Sequence, residues 1–281
     1  METKLNEFDI QYRALLKKIL DIGYAEKNER TGHVCQALPG ETIKIDLSQG
    51  FPLLSLRKIP LKIFIAEQIW FLTGQKDLAF LQKFTKIWDD FSESDNSVSS
   101  AYGYRWRQHF GRDQIKGLID LLQREPSSRH GVILMWDASD DGLANGTKKK
   151  NVPCPYTFTV QIIGGRLHLH LIIRSNDMIL GNPHDTAGFA LLAHLLAEKL
   201  KVPVGFLTIS ISNAHIYDIH FESARVLVAR EVAHGPIPFT VPAGAFDRAE
   251  KADETLVEEI FQQLKSNYHP QESLGKMEIV L

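Results

Sequence analysis

The sequence predicts an α+β fold built as one domain over residues 1–281, and three observations predict it. Two apolar runs, TFTVQII and RLHLHLIIR, flank Gly164 and Gly165, which is a strong hairpin signal. Two stretches of helical length, residues 61–73 and 186–200, are too apolar to lie on a surface. No repeat, linker or low-complexity tract divides the chain.

The elements follow in order. Phe8, Tyr12, Leu15, Leu16, Ile19 and Leu20 recur at helical spacing before Gly23, so an amphipathic helix opens the chain. Residues 41–56 (ETIKIDLSQGFPLLSL) are strand-like. Residues 61–73 (LKIFIAEQIWFLT) are apolar nearly all round except Glu67 and Gln68, a buried helix ended by Gly74. Residues 113–124 form another helix and 131–136 (GVILMW) a buried strand. A polar run over 137–151 leads into VPCPYTF, and the second strand of the hairpin then delivers Arg174. In 186–200, Phe189, Leu192, Leu196 and Leu200 share one stripe with alanines beside it. A strand at 205–212 runs into NAHIYDIH; a Pro-rich strand-like piece, a helix near 254–264 and an apolar tripeptide at 279–281 complete the chain.

With 44% hydrophobic and 23% charged residues the chain has material for a large core. Its formal net charge of -2 gives no global attraction for nucleic acid, so a small-molecule partner and no obligatory nucleic acid are expected. Two cysteines, Cys35 and Cys154, make no disulfide framework of the secreted kind, which points to the reducing cytoplasm. The N-terminal stretch METKLNEFDIQYRALLKKIL scatters charges and has no uninterrupted apolar core, so neither a signal peptide nor a membrane span is expected.

Cys154 stands between two prolines where the polar run meets a strand. It reads either as a small buried hydrophobe or as a reactive thiol, and the second needs a nearby cation or base. Arg174 is the candidate, because it ends the hairpin partner of the strand that Cys154 begins. Glu67 in an apolar helix is paired, neutral or facing a polar seam, since a lone buried carboxylate costs several kcal/mol; its pKa is expected to be raised. Raised carboxyls often serve as general acids or bases. His168 and His170 alternate on one strand face and His215 and His220 lie in NAHIYDIH, but none has a metal-ligand spacing, and no metal is expected. Lys148 to Lys150 read as a solvated loop face.

Taken together, VPCP around Cys154, IIRSNDMILGNPHDTAGFALLAHLLA (172–197) and NAHIYDIH (213–220) resemble the thymidylate synthase family. The family shows a PCH nucleophile, a QRS-D-x-x-LG-x-PFN-I-A-x-Y block and a GD-x-H-x-Y-x-x-H block at the same separations. ERTG (29–32), AEQIWFLTG (66–74), KIWDDF (86–91), AYGYRWR (101–107) and PSSRH (126–130) match upstream in order, so the resemblance spans nearly the whole chain.

The resemblance implies a mixed sheet with packed helices, a homodimer formed by sheet stacking, and active sites that share residues across the interface. It implies transfer of a one-carbon unit from 5,10-methylenetetrahydrofolate, with no metal, to C5 of a pyrimidine nucleoside monophosphate. Cys154 would add to C6 and make C5 nucleophilic. Arg30, Arg174 and Ser175 would bind the phosphate with Arg129 from the partner subunit, where His130 follows in place of a second arginine. His215 and Tyr217 would contact the sugar. Glu67 would order water and move protons, and Tyr102 would assist removal of the C5 proton. Trp88, Asp177, Leu180 and Gly181 would hold the folate.

Further departures from the family pattern are Pro155 for the histidine after the nucleophile, Thr159 for a glutamine, Asn213 for an aspartate, and His184 and Asp185 for Phe-Asn. The family asparagine complements uracil. Cytosine presents the opposite pattern, an acceptor at N3 and a donor at N4, which a carboxyl group sharing its proton with N3 would match. An ionised Asp185 would face uracil O4 acceptor to acceptor, a costly mismatch. Similar relatives with aspartate here are hydroxymethylases of dCMP or CMP, so 5-hydroxymethylation of a cytidylate is expected. The bland reading makes Asp185 a helix N-cap. Reductive methylation of dUMP or dCMP, a silent nucleotide- or RNA-binding relative, and a Cys-His hydrolase built on Cys154 and His215 are the other readings.

Overall fold

The computed structural model describes residues 5–143 and 151–280, so Lys148 to Lys150 lie outside the described residues. The first helix, α1 (Glu7–Ile22), is capped by the Asn6 side chain and buries Phe8, Tyr12, Leu15, Leu16 and Ile19 on one face. Two strands follow, β1 (Tyr24–Lys27) and β2 (Val34–Asp46). The strand-like character of 41–56 thus ends at Asp46, whose side chain caps a 3-10 turn at Leu47–Gln49, and beyond it only Phe51 makes a bridge, to Ile237. That bridge is all the strand pairing in the Pro-rich piece, because proline has no N–H to give a ladder.

Helix α2 (Leu61–Thr73) is buried almost all round and ends in left-handed Gly74. Helix α3 (Tyr102–Tyr104) continues as a π-turn over Arg105–His109, and α4 (Gln114–Arg124) is capped by Asp113. Gly103 lets α3 approach α2: a Cβ there would stand 2.0 Å from the Phe71 carbonyl oxygen. The run 131–136 narrows to β3 (Val132–Leu134), an edge strand with Val132 and Leu134 exposed and only Ile133 buried, so the expected buried strand is corrected to a half-buried one.

The hairpin is β4 (Pro155–Ile163) and β5 (Arg166–Ile173), turning at Gly164 and Gly165, both at positive φ. Short β6 (Asn176–Asp177) leads to α5 (Gly181–Leu200), and β7 (Val204–Tyr217), α6 (Phe221–Ala229), α7 (Ala245–Glu250) and α8 (Glu254–Asn267) complete the order. Helix α5 starts five residues before the expected 186, at Gly181. Pro183 is no obstacle in a first turn, where N–H groups have no intrahelical partner.

The sheet is mixed and seven-stranded in the order β1-β2-β7-β5-β4-β3, with β6 pairing β7; β5 and β6 run parallel to β7 and the other pairs are antiparallel. Helix α5 packs on β5 and β7, and α2 packs on α5. Along β5 the leucines 167, 169 and 171 and Ile173 are buried, whereas Arg166, His168, His170 and Ile172 face the other way and are half-buried. The ends of β5, β6 and β7 and the starts of β2 and β4 meet at one end of this sheet, and the cavity described next opens there.

Candidate active site

The cavity has a volume of about 620 Å³, within the range of small-molecule sites. Cys154 enters it at the start of β4 because Pro155 pairs with Ile173 and the Arg174 N–H donates to the Cys154 carbonyl at 3.0 Å. The same register puts Arg174 Nη2 3.9 Å from Cys154 Sγ. The guanidinium is held there by the carbonyls of Pro153 (2.9 Å) and Val152 (3.3 Å), and it lies 5.6 Å from the centre of the Trp136 ring. Burial pushes the Cys154 thiol above its ordinary range; Arg174 and Arg30 oppose this, and the charges of Asp185 and Asp177 add to it. This favours the thiol over the thiolate, with one strong donor, the Arg174 guanidinium, beside the sulfur.

The opposite wall comes from helices. Glu67 of α2 is buried, with its Oε1 taken by Trp88 Nε1 and its Oε2 by His184 Nε2. Tyr102, positioned by the close α2–α3 contact, has rings of Phe71 and Trp88 against it at 5.0 and 6.0 Å. Burial, with the charges of Cys154, Asp185 and Glu67 behind it, drives its phenol well above the ordinary range, so it stays neutral. His215 and Tyr217 leave the end of β7 with ring centres 4.9 Å apart. Burial lowers His215 and pushes Tyr217 up to about 12, so both offer neutral groups; His215 Nδ1 meets Asn213 Oδ1 at 3.0 Å.

The first turns of α5 carry Asp185. Its N-cap is Leu180, with no side-chain cap bond, and Asp185 lies inside the helix, so the capping reading is wrong. The side chain faces the cavity and its Oδ2 accepts from Asn176 Nδ2 at 2.9 Å. Asn176 Oδ1 in turn accepts from Asn182 Nδ2 at 2.7 Å, with the Asn176 N–H side towards the acid. Burial pushes Asp185 up to about 7; His184 and the Asn176 bond pull against that, and Glu67 and Asp177 add to it. Asp177 Oδ1 accepts the backbone N–H groups of Ile179 (2.8 Å) and Leu180 (3.3 Å) in the turn into α5.

Of the residues expected from sequence, Arg30, Glu67, Trp88, Tyr102, Cys154, Arg174, Ser175, Asp177, Leu180, Gly181, Asp185, His215 and Tyr217 all line this cavity. Arg129 and His130 do not: both are exposed before β3 and belong to no part of its wall. Pro155 and Thr159 are also outside the wall. Sequence reading missed Asn176, Trp136, and Ile279 and Val280, which bring the C-terminal segment to the cavity. Asn176 sits inside a quoted motif, Trp136 ends an apolar run and Ile279 and Val280 belong to the apolar tripeptide 279–281, so position rather than residue type was the available signal.

The thymidylate synthase family model matches residues 10–276. The chain belongs to the thymidylate synthase family. Family membership and this wall together support folate-dependent one-carbon transfer to C5 of a pyrimidine nucleotide, with methylenetetrahydrofolate as cosubstrate. The residues fit such a group: Ile87, Trp88, Phe91 and Leu180 would give apolar surface to a flat ring, and Asp177 Oδ2 would be open to ring N–H groups. Among the described residues no group of three or more His, Cys, Asp or Glu is gathered as a metal ion would require. No described helix is long and apolar enough to cross a membrane.

Proposed function

We propose that this member of the thymidylate synthase family acts on a cytidylate, dCMP or CMP, and releases the 5-hydroxymethyl nucleotide with tetrahydrofolate. Asp185 is the observation that carries the base assignment. A neutral acid donates its O–H to cytosine N3 and accepts from N4–H, and with Asp185 pushed up to about 7 that form is populated near neutrality. A proton held between the acid and a basic ring nitrogen also draws electrons away from C6 as the thiolate adds. Uracil offers N3–H and O4. An ionised Asp185 opposes O4, so only the neutral acid pairs with uracil, whereas cytosine can share the acid's proton at its basic N3.

The residues then divide the work. Arg174 and Arg30 draw the phosphate in and stabilise the Cys154 thiolate, whose sulfur bonds to C6. When bound, methylenetetrahydrofolate would supply the methylene that C5 takes up, and the methylene–nitrogen bond would break as C5 loses its proton, releasing tetrahydrofolate. Tyr102 and Glu67 handle the proton lost from C5, and Cys154 leaves C6 when the ring is restored. The polar Glu67–His184 pair beside Trp88 supports a held water, whose hydroxyl completes the product. Pro155 and Thr159 do not line the cavity, so the water is assigned to the Glu67–His184 pair rather than to them.

The raised acid also favours a second reading, because neutral Asp185 can donate to uracil O4 and accept from N3–H: reductive methylation of dUMP. Purified protein with methylenetetrahydrofolate and each of CMP, dCMP, UMP and dUMP separates the two. A cytidylate that gains the mass of one formaldehyde unit, with no dihydrofolate absorbance, is expected. Product from dUMP alone would overturn the base assignment, and stoichiometric dihydrofolate with a methylated nucleotide would overturn the product.

A further inference from the structure

His184 stands where the family pattern has phenylalanine, a side chain that can donate no hydrogen bond. Here the imidazole Nε2 meets Glu67 Oε2 while Trp88 Nε1 meets Oε1, so donors from two separate segments grip the two oxygens of one buried carboxylate. The His184 ring is itself held, with the edge of fully buried Phe64 packed at 6.2 Å and 83°. A carboxylate offers about four acceptor positions, so two remain after the clamp closes.

We propose that His184 is a positioning residue: with Trp88 it fixes the Glu67 carboxylate before substrate enters, so that the free acceptor positions of Glu67 are set for the water and proton steps at C5. The proposal rests on the role given to Glu67 above but not on the choice of base. The charged groups facing His184 are Glu67 from α2, Asp185 from its own helix and Arg57 from the segment before α2. Burial lowers the imidazole, but the charge and hydrogen bond of Glu67, helped by Asp185, outweigh it and leave His184 above its ordinary range. The imidazolium form thus persists towards neutral pH and gives the clamp a charge-assisted bond.

Two variants and two readouts test this. On whichever nucleotide the wild type turns over, His184→Phe is expected to lower kcat by roughly 10- to 100-fold with nucleotide KM within about twofold. His184→Gln, which keeps an N–H donor, is expected to recover most of kcat at neutral pH and to lose the alkaline limb due to the imidazolium; it carries the test if the phenylalanine variant does not fold. In substrate-free protein, the NMR resonance of the Trp88 indole N–H, assigned with Trp88→Phe, should move with pH as His184 titrates and stop doing so in both His184 variants. Unchanged kcat in a folded His184→Phe, or a Trp88 resonance that ignores pH in wild type, would overturn the proposal. If no nucleotide is turned over, the functional reading fails while the NMR result still decides the clamp.

Discussion

Asn176 donates from Nδ2 to Asp185 Oδ2 at 2.9 Å, and Asn182 holds Asn176 in that orientation at 2.7 Å. This bond favours the ionised acid and so pulls Asp185 down against its burial. Removing it in Asn176→Ala should raise Asp185 further, and the alkaline limb of kcat/KM for a cytidylate should move to higher pH. A limb that stays or moves down would show that Asn176 does not set the proton affinity of Asp185.

The pH dependence of base choice follows from the same acid. Burial raises Asp185 to about 7, so below that pH the neutral acid meets either base. As pH rises through it, the uracil complex gains an acceptor facing O4. The cytosine complex keeps its proton longer, because N3 and the carboxylate both hold it. Because the cytosine complex must regain the proton that the free acid loses, kcat/KM for a cytidylate should fall roughly 10-fold between about pH 6 and about pH 8, and the cytosine-to-uracil ratio should not grow over that range. A cytidylate kcat/KM that rises over that range would contradict this.

Cys154 is expected to be the nucleophile. Cys154→Ser should lower turnover by roughly 10³-fold or more while nucleotide binding and the fold survive. Alkylation of Cys154 should accelerate with pH through its raised ionisation, and Arg174→Ala, which removes an opposing charge, should move that rise to still higher pH. Near-normal turnover of the serine variant would end the assignment.

Arg129 is exposed and does not line the cavity of its own chain, and we propose that it serves the site of a second copy in a homodimer. Mixing inactive Arg129→Ala and Cys154→Ser subunits should regain up to about a quarter of wild-type activity, since one site of each hybrid dimer is intact. No recovery under conditions of subunit exchange, or a monomer at micromolar concentration, would count against a shared site.

Much of the frame was legible in the sequence. The Gly164 and Gly165 turn and the stops at Gly23 and Gly74 are local signals, and the elements they bound lie close to where periodicity puts them. Helix α5 started early because Gly-Asn-Pro reads as a turn and its N-cap, Leu180, makes no side-chain bond to signal a start. The Glu67 contact with His184 joins residues far apart in sequence, and no periodicity announces it. Sequence could show that Asp185 differs from the family asparagine; only the packing shows Asn176 as its partner.

Direct competition between the two bases tests most sharply whether Asp185 reads cytosine. Wild-type protein and Asp185→Asn are each given dCMP and dUMP together, then CMP and UMP together, with methylenetetrahydrofolate, and the modified nucleotides are quantified by mass. Wild type should modify the cytidylate in preference, and the amide variant, with a donor for O4 and an acceptor for N3–H, should shift towards the uridylate by roughly 10²-fold or more in relative kcat/KM. Preference for dUMP in the wild type, or an unchanged ratio in Asp185→Asn, would contradict the account.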